Sequence, residues 1–386
     1  MFILSKNYLE QALIVGVDEK KVPFLTGVFN MAKECLCYDF LGNGLDDCTD
    51  DQTVQLPTAW RELVVDGKLF ELFMQWYEKG LPDYMNQAVV CCLAQLAAIR
   101  RTLFNTQERQ DHITRLVKGL LKMVSQPAPL NHPDTYHEFC RYLMRLKTTY
   151  QLNELVQCEV YDSWLEACVE FSIRSFNTTT VSPNSLHYLL IFWQKLASSV
   201  PYVRSEANHN VDKNAAKVVN AYIESRLRAI NSAENTTLNN SLNNSINSNN
   251  SVSKETNSAE EGNDPFLDID RDQREEQLES IAQLARCQYE SVGELVFGLL
   301  IKMRDVLKVR GGSMSEDEEE TIYRQCAWLI QVTASLVGSR VTSLATEKSD
   351  EADAELIKTT ARGNFVKIMK TSKMARYCVS KNLQKS

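Results

Sequence analysis

The sequence predicts an all-α fold in which antiparallel helix pairs are stacked in series. Three observations lead there. Apolar residues recur at spacings of three and four along most of the chain, with almost no strand-like alternation. The helical runs are 12 to 20 residues long and are separated by short turns marked by Gly and Pro. With 44 % hydrophobic and 24 % charged residues, the 386-residue chain has enough apolar side chains for an extended core.

Each run can be justified in turn. Phe24, Val28, Met31 and Cys35 form an early stripe with helical spacing. Leu69, Phe70, Leu72, Phe73, Trp76 and Tyr77 belong to a second helix, punctuated by Gly80 and Pro82. Met85, Val89, Cys92 and Leu96 begin a third, which the pattern carries on through Ile99 to Leu103. Asn105 and Glu108 have the spacing of a capping box, opening a fourth helix with Ile113, Leu116, Val117, Leu120, Leu121 and Val124. After Pro127, Pro129 and Pro133, a helix from about Asp134 to Tyr150 carries Phe139, Leu143 and Leu146, and Trp164, Cys168, Phe171 and Phe176 mark the next.

Ser182 suits a helix N-cap and Pro183 the first turn behind it. Leu186, Leu189, Leu190, Trp193, Leu196 and Ala197 then form one broad face, and Pro201 stops the helix near Val200. Val218, Val219, Tyr222, Ile223, Leu227 and Ile230 give the last stripe of this first array.

Residues 231–262 break the pattern, since Asn and Ser fill more than half of the positions and large apolar side chains are scarce. Such a composition buries too little surface to offset the entropy of ordering, which predicts a disordered insertion over 231–272 that turns acidic towards its end. Periodicity resumes with Leu278, Ile281, Leu284, Val292, Leu295, Val296, Leu299 and Met303. A loop from Gly311 to Glu320 holds the acidic run Glu316, Asp317, Glu318, Glu319 and Glu320. A final pair carries Ile322, Cys326, Leu329, Ile330, Leu336 and Val337, then Leu356 onward. The chain thus divides into a helical array over 1–230, the insertion over 231–272, a continuation of the array over 273–357, and a basic tail over 358–386 with weaker periodicity. A helix-pair repeat of about 40–47 residues allows roughly seven or eight pairs, the arrangement of a superhelical HEAT- or armadillo-type solenoid. No short consensus recurs from pair to pair; the repeat is one of shape.

Charge and motifs narrow the function. A net charge of −8 argues against nucleic-acid binding, which needs clustered Lys and Arg. No run of about 18 apolar residues is present, so no membrane-spanning helix is expected. There is no phosphate-binding G-x-x-x-x-G-K-[ST] loop, no G-x-S-x-G elbow and no H-E-x-x-H pair, and the histidines are scattered. His132 and His137 flank a proline-rich turn without a further ligand nearby, and Cys35 and Cys37 have no second Cys or His pair at zinc spacing. Cys91, Cys92, Cys140, Cys168 and Cys326 fall within helical patterns, where a thiol behaves as a small hydrophobe. No catalytic residue, cofactor or metal is expected. The acidic run at 316–320 is the candidate partner-binding site: its carboxylates favour a helix N-terminus and also suit a basic protein surface.

Several segments resemble, in order along the chain, the exportin-7 family of the importin-β superfamily. They are VQLPTAWR (54–61), IRRTLFNTQER (99–109), TYHEFCRYLMRLKTTYQLNELV (135–156), SPNSLHYLLIFWQKLASSVPYVRS (182–205), ARCQYE (285–290) and WLIQVTASLVGSRVTS (328–343). The match falls in the central part of a far longer receptor, fades near Lys358, and lacks the Asn/Ser tract. The resemblance implies a nuclear export receptor that binds protein cargo together with Ran-GTP, meets nucleoporins, and shuttles between nucleus and cytoplasm without enzymatic activity. The alternative is a helical-repeat scaffold or adaptor without transport activity.

Overall fold

The computed structural model describes residues 1–16, 19–40, 53–126, 128–178, 183–203, 208–246, 271–310, 313–339 and 347–362. The chain divides into two compact units, Met1–Asn214 and Ala215–Ser386. The fold class is the all-α array of helix pairs that the periodicity predicts, and among the described residues there is no sheet. A single parallel bridge joins Val54 to Ile99.

The first unit contains α1 (Phe2–Val15), α2 (Val22–Cys37), α3 (Arg61–Val65), α4 (Lys68–Glu78), α5 (Asp83–Ala97), α6 (Thr106–Ser125), α7 (Pro133–Thr149), α8 (Leu152–Leu155), α9 (Tyr161–Phe176) and α10 (Pro183–Ser199). They form two rows. In one, α2 packs on α5, α5 on α7 and α7 on α10; in the other, α1 packs on α4, α4 on α6 and α6 on α9. Each pair contributes one helix to each row, and its apolar faces are buried against its partner and its neighbours, as the solenoid principle requires.

Large aromatic side chains fill the space between rows. Trp76, Trp164 and Trp193 are fully buried. Phe29 of α2 meets Trp76 of α4 edge to face at 5.4 Å, and Trp164 of α9 meets Phe192 of α10 at 5.8 Å, both favourable ring arrangements. Burial obliges polar atoms to find partners. Trp193 Nε1 donates to Ser172 Oγ at 2.9 Å, and the Tyr142 hydroxyl donates to the Leu116 carbonyl at 3.2 Å. Gly119 lets α6 approach α4 closely: a methyl group in its place would lie 2.5 Å from Phe70 Cζ.

The second unit starts within α11 (Val211–Ile246) and contains α12 (Arg271–Ala285), α13 (Tyr289–Arg310), α14 (Glu316–Gly338) and α15 (Glu347–Arg362). α12 packs on α14, α13 on both α14 and α15, and α14 on α15. The Tyr222 hydroxyl in α11 donates to Gln277 Oε1 in α12 at 3.2 Å, and Gln325 Nε2 in α14 donates to the Leu227 carbonyl at 3.3 Å.

Four details depart from the sequence pattern. In α2 the buried stripe is Leu25, Val28, Phe29, Ala32 and Leu36, while Phe24 is exposed; this helix is apolar on several sides, so periodicity alone does not select the inner one. α5 ends at Ala97, because Ile99 leaves the helix to lie opposite Val54, whose amide donates to the Ala98 carbonyl and whose carbonyl accepts from the Arg100 amide. α11 does not stop near Ile230: its backbone stays helical through Ile246, into the tract read as a disordered insertion. Asn and Ser cost less than about 0.7 kcal/mol each relative to Ala, and a helix already nucleated by an anchored segment extends at small cost. Residues 247–270 of the predicted insertion lie outside the described residues. α15 likewise runs past Lys358 to Arg362, and residues 363–386 of the predicted tail lie outside the described ones.

Candidate functional site

The acidic run sits on the first turn of α14 and is not the loop that the sequence suggested. Ser315 is the N-cap, its hydroxyl accepting the Glu318 amide at 3.2 Å, while Glu318 Oε2 accepts the Ser315 amide at 3.1 Å. This capping box satisfies two amides that a helix start leaves unpaired, and carboxylates here oppose the positive end of the helix dipole. Glu319 accepts from the Tyr323 hydroxyl at 2.6 Å; burial, then this bond, pushes the phenol up to about 12. Glu320 pairs with Arg324 one turn on, at 2.9 Å. Asp317 and Glu318 are exposed. Glu318, Glu319 and Glu320 therefore make interactions at the cap of, or within, their own helix.

The histidines do not converge. His112 is buried, stacked on Phe104 at 4.7 Å, with Nε2 3.1 Å from the Leu96 carbonyl; burial holds its pKa down to about 4. His132 precedes α7, and His137 Nδ1 lies 3.0 Å from Ser185 Oγ. Among the described residues no group of three or more His, Cys, Asp and Glu could hold a metal ion, and no helix is long and apolar enough to cross a membrane.

The strongest polar constellation joins consecutive pairs of the array. Arg61, at the start of α3, reaches the start of α6, where Nη2 lies 2.6 and 2.5 Å from the two Glu108 oxygens and Nε donates to the Leu103 carbonyl at 3.1 Å. Glu108 is itself the third helical residue of the Asn105 capping box. One pair further on, Arg109 Nε and Nη2 lie 2.6 and 3.2 Å from the two oxygens of Glu154, which closes the Gln151 capping box of α8. Arg109 is buried, sits 4.5 Å from the Tyr150 ring centre, and also reaches the Thr149 carbonyl. For Glu154, burial would raise the pKa, but the bonds from Arg109 and the Gln151 amide outweigh it and hold the carboxyl below its usual range.

Partners in the two clamps are 47 and 45 residues apart. Tyr161 to His209, Asn210 to Asp162 and His137 to Ser185 each span 48. A repeat that has no consensus in sequence therefore shows a step of 45–48 residues in these hydrogen bonds. In the second unit Arg286 has a similar role. Its Nη2 donates to the Leu336 carbonyl at 2.5 Å at the end of α14, Nη1 lies 3.6 Å from Asp353 of α15, and the guanidinium stacks on Tyr289 at 4.0 Å. Local spacing marks the Asn105–Glu108 box but neither its Arg61 partner nor the Gln151 box, for which the signal in the sequence is Arg and Glu recurring one repeat apart.

Arg61, Arg109, Glu154 and Arg286 all fall within the segments that carried the family resemblance, and comparison with known proteins agrees with it. The family model described as "Exportin-7-like, TPR domain" matches residues 253–383. Exportin-7-B of Xenopus laevis is 31% identical over 363 residues, covering 92% of this chain and 31% of the relative. The chain is exportin-7-like. Ran-binding protein 16 of Drosophila melanogaster is 33% identical over 364 residues, covering 92% of the chain and 31% of that protein. Ran-binding protein 17 of Homo sapiens is 32% identical over 342 residues, covering 88% and 29%. The exportin-7-like chain thus spans about a third of the length of the curated relatives it matches. The family match runs through residue 383, beyond the point near Lys358 where the segment-by-segment resemblance fades. TPR and HEAT repeats are both antiparallel helix pairs, so the family description and the fold agree.

Proposed function

We propose that this chain is part of a nuclear export receptor of the importin-β superfamily, which binds protein cargo together with Ran-GTP and carries it past nucleoporins from nucleus to cytoplasm. The supporting observation is the similarity to exportin-7 and Ran-binding proteins along nearly the whole chain. Such a receptor works by linkage: cargo and Ran-GTP each favour the conformation that binds the other, so neither reaction needs a catalytic residue in the receptor. Stacked helix pairs suit this task, because small changes between neighbours add up along a long binding surface.

The acidic turn Glu316, Asp317, Glu318, Glu319 and Glu320 is proposed as a contact for a basic partner surface, with exposed Asp317 and Glu318 as its outward charges. Purified chain titrated against Ran loaded with GTP or GDP tests both statements. Preference for the GTP form is expected, weaker than for a full-length relative, because one third of the length supplies only part of a composite surface. Neutralising Asp317 and Glu318 should weaken binding and flatten its salt dependence. Equal affinity for the two nucleotide states would overturn the receptor reading; unchanged binding after neutralisation would remove the acidic turn from it.

A further inference from the structure

The sequence shows a Cys35-x-Cys37 pair without a companion; the fold supplies one. α2 packs on α5, and this brings Cys37, at the last position of α2, beside Cys91 of α5, close enough for each sulfur to dominate the ionisation of the other. Gln95, one turn along α5, donates its Nε2 to Cys37 Sγ at 3.1 Å. Arg141 of α7 points Nη1 at Cys91 Sγ, 3.8 Å away, and also pairs with Glu138 at 3.1 Å. Cys37 is exposed, whereas Cys91 and its neighbour Cys92 are buried.

The two sulfurs are electrostatically unequal. The bond from Cys91 is the largest influence on Cys37; burial opposes it, Arg141 and Arg145 assist it, Glu34 opposes it, and the thiol is lowered to about 7. Cys91 is pushed well up by that same bond and by burial, with Glu138 and Cys92 adding to the rise. Lys33 of α2 is the further cation near both sulfurs. The C-terminal end of α2 works against a thiolate, but the influence of Cys91 and of the two guanidinium groups prevails. An accessible sulfur that ionises near neutral pH, beside a protonated buried sulfur, is the arrangement of an attacking and a resolving cysteine.

We propose that Cys37 and Cys91 form a hydroperoxide-responsive dithiol that closes reversibly into a disulfide tying α2 to α5. In the first step the Cys37 thiolate attacks a peroxide oxygen: an S–O bond forms, the O–O bond breaks, and the departing hydroxide takes up a proton to leave as water. Cys37 is now a sulfenic acid. In the second step Cys91 loses its proton and attacks the Cys37 sulfur: the S–S bond forms, the S–O bond breaks, and a second water leaves. Two thiols are oxidised and one hydrogen peroxide is reduced to two waters. Glutathione reverses the linkage by attacking it as thiolate, with two molecules oxidised to one glutathione disulfide per pair of thiols restored. The proposal is independent of the transport reading.

The test uses the whole chain, treated with graded hydrogen peroxide, quenched with N-ethylmaleimide, digested without reductant and analysed by mass spectrometry. The expected product is a linked peptide pair holding Cys37 and Cys91 that disappears on adding reduced glutathione. Alkylation of Cys37 in untreated protein should reach half its maximal rate near pH 7, below the value of about 8.5 of an ordinary free thiol. In Cys91→Ala, Cys37 should instead accumulate as a sulfenic acid captured by dimedone, and its alkylation midpoint should rise. Linkage of Cys37 to Cys35 or Cys92, or over-oxidation of wild-type Cys37 without any linked peptide, would overturn the assignment. If Cys91→Ala does not fold, the pairing pattern and alkylation midpoint of the wild-type chain decide alone.

Discussion

Arg109 holds both carboxylate oxygens of Glu154, at 2.6 and 3.2 Å, while Glu154 also accepts the amide of Gln151 at 2.9 Å. One carboxylate thus ends a helix start and fastens it to the preceding pair. Arg109 is 7% exposed on its side chain and Glu154 20%, so the pair is shielded from salt more than a surface bridge would be. Removing either partner leaves a largely buried charge without its counterpart. We predict that Arg109→Ala and Glu154→Ala each destabilise the first unit by about 3 kcal/mol, measured by chemical denaturation, and that the double variant costs clearly less than their sum. Additive losses would show that the two residues act separately.

The same carboxylate predicts an acid limb. Glu154 has a pKa below its unfolded value, so its contribution is fully present above about pH 4.3 and is lost as pH falls through the folded pKa. Thermal melts between pH 6 and 3 should fall more steeply for wild type than for Glu154→Gln.

His112 acts at higher pH. Its folded pKa is lowered to about 4 by burial, against about 6.5 when unfolded. Between those values the unfolded chain binds a proton that the folded chain does not, so stability declines as pH drops from about 6.5 to 4. His112→Phe should flatten this part of the profile. Its stability at pH 7 should be lower, because a ring without nitrogen cannot bond the Leu96 carbonyl.

Gly119 marks close contact between α4 and α6. Ala is favoured over Gly in a free helix by about 1 kcal/mol, but the added methyl would lie 2.5 Å from Phe70 Cζ and 3.2 Å from Met74 Sδ. Phe70 is itself buried and has little room to turn. Gly119→Ala should therefore destabilise by about 1–3 kcal/mol, and Phe70→Leu in the same chain should recover part of the loss. A stabilised single variant would show that the ring gives way freely.

Ser172 and Trp193 provide a local test of polar satisfaction in the core. Ser172→Ala leaves the indole N–H of Trp193 without its 2.9 Å acceptor, which should cost about 1–3 kcal/mol in equilibrium unfolding. Ser172→Thr, which keeps a hydroxyl, should cost less.

How much of this was legible in the sequence depends on the range of the interaction. Local signals carried the helices: the Asn105–Glu108 box, Pro183 at the start of α10, and the crowded apolar face of α4 appear as read. Where a long-range contact decided the outcome, the sequence pattern misled. Ile99 fits a helical stripe, yet it pairs with Val54 across 45 positions of chain. Phe24 fits one too, but only packing selects Leu25 and Phe29 as the buried face. The acidic run looked like a loop because five carboxylates resemble solvent-exposed chain; Ser315 turns it into a helix start. The Cys37–Cys91 contact lay beyond any spacing rule, since neither the two residues nor their neighbours form a recognisable ligand motif. Residues 231–246 were judged by composition alone, which misses the helix extending from its anchored base.

The clamps at Glu108 and Glu154 also have a mechanical consequence. To tilt one helix pair against the next about these points, a carboxylate must part from a guanidinium and uncap a helix in the same movement, which makes the joint stiff against bending. Apolar helix bodies sliding over one another lose no directional bond until they separate. Elastic compliance in the first unit should therefore reside in its greasy flanks, with the riveted helix starts moving least.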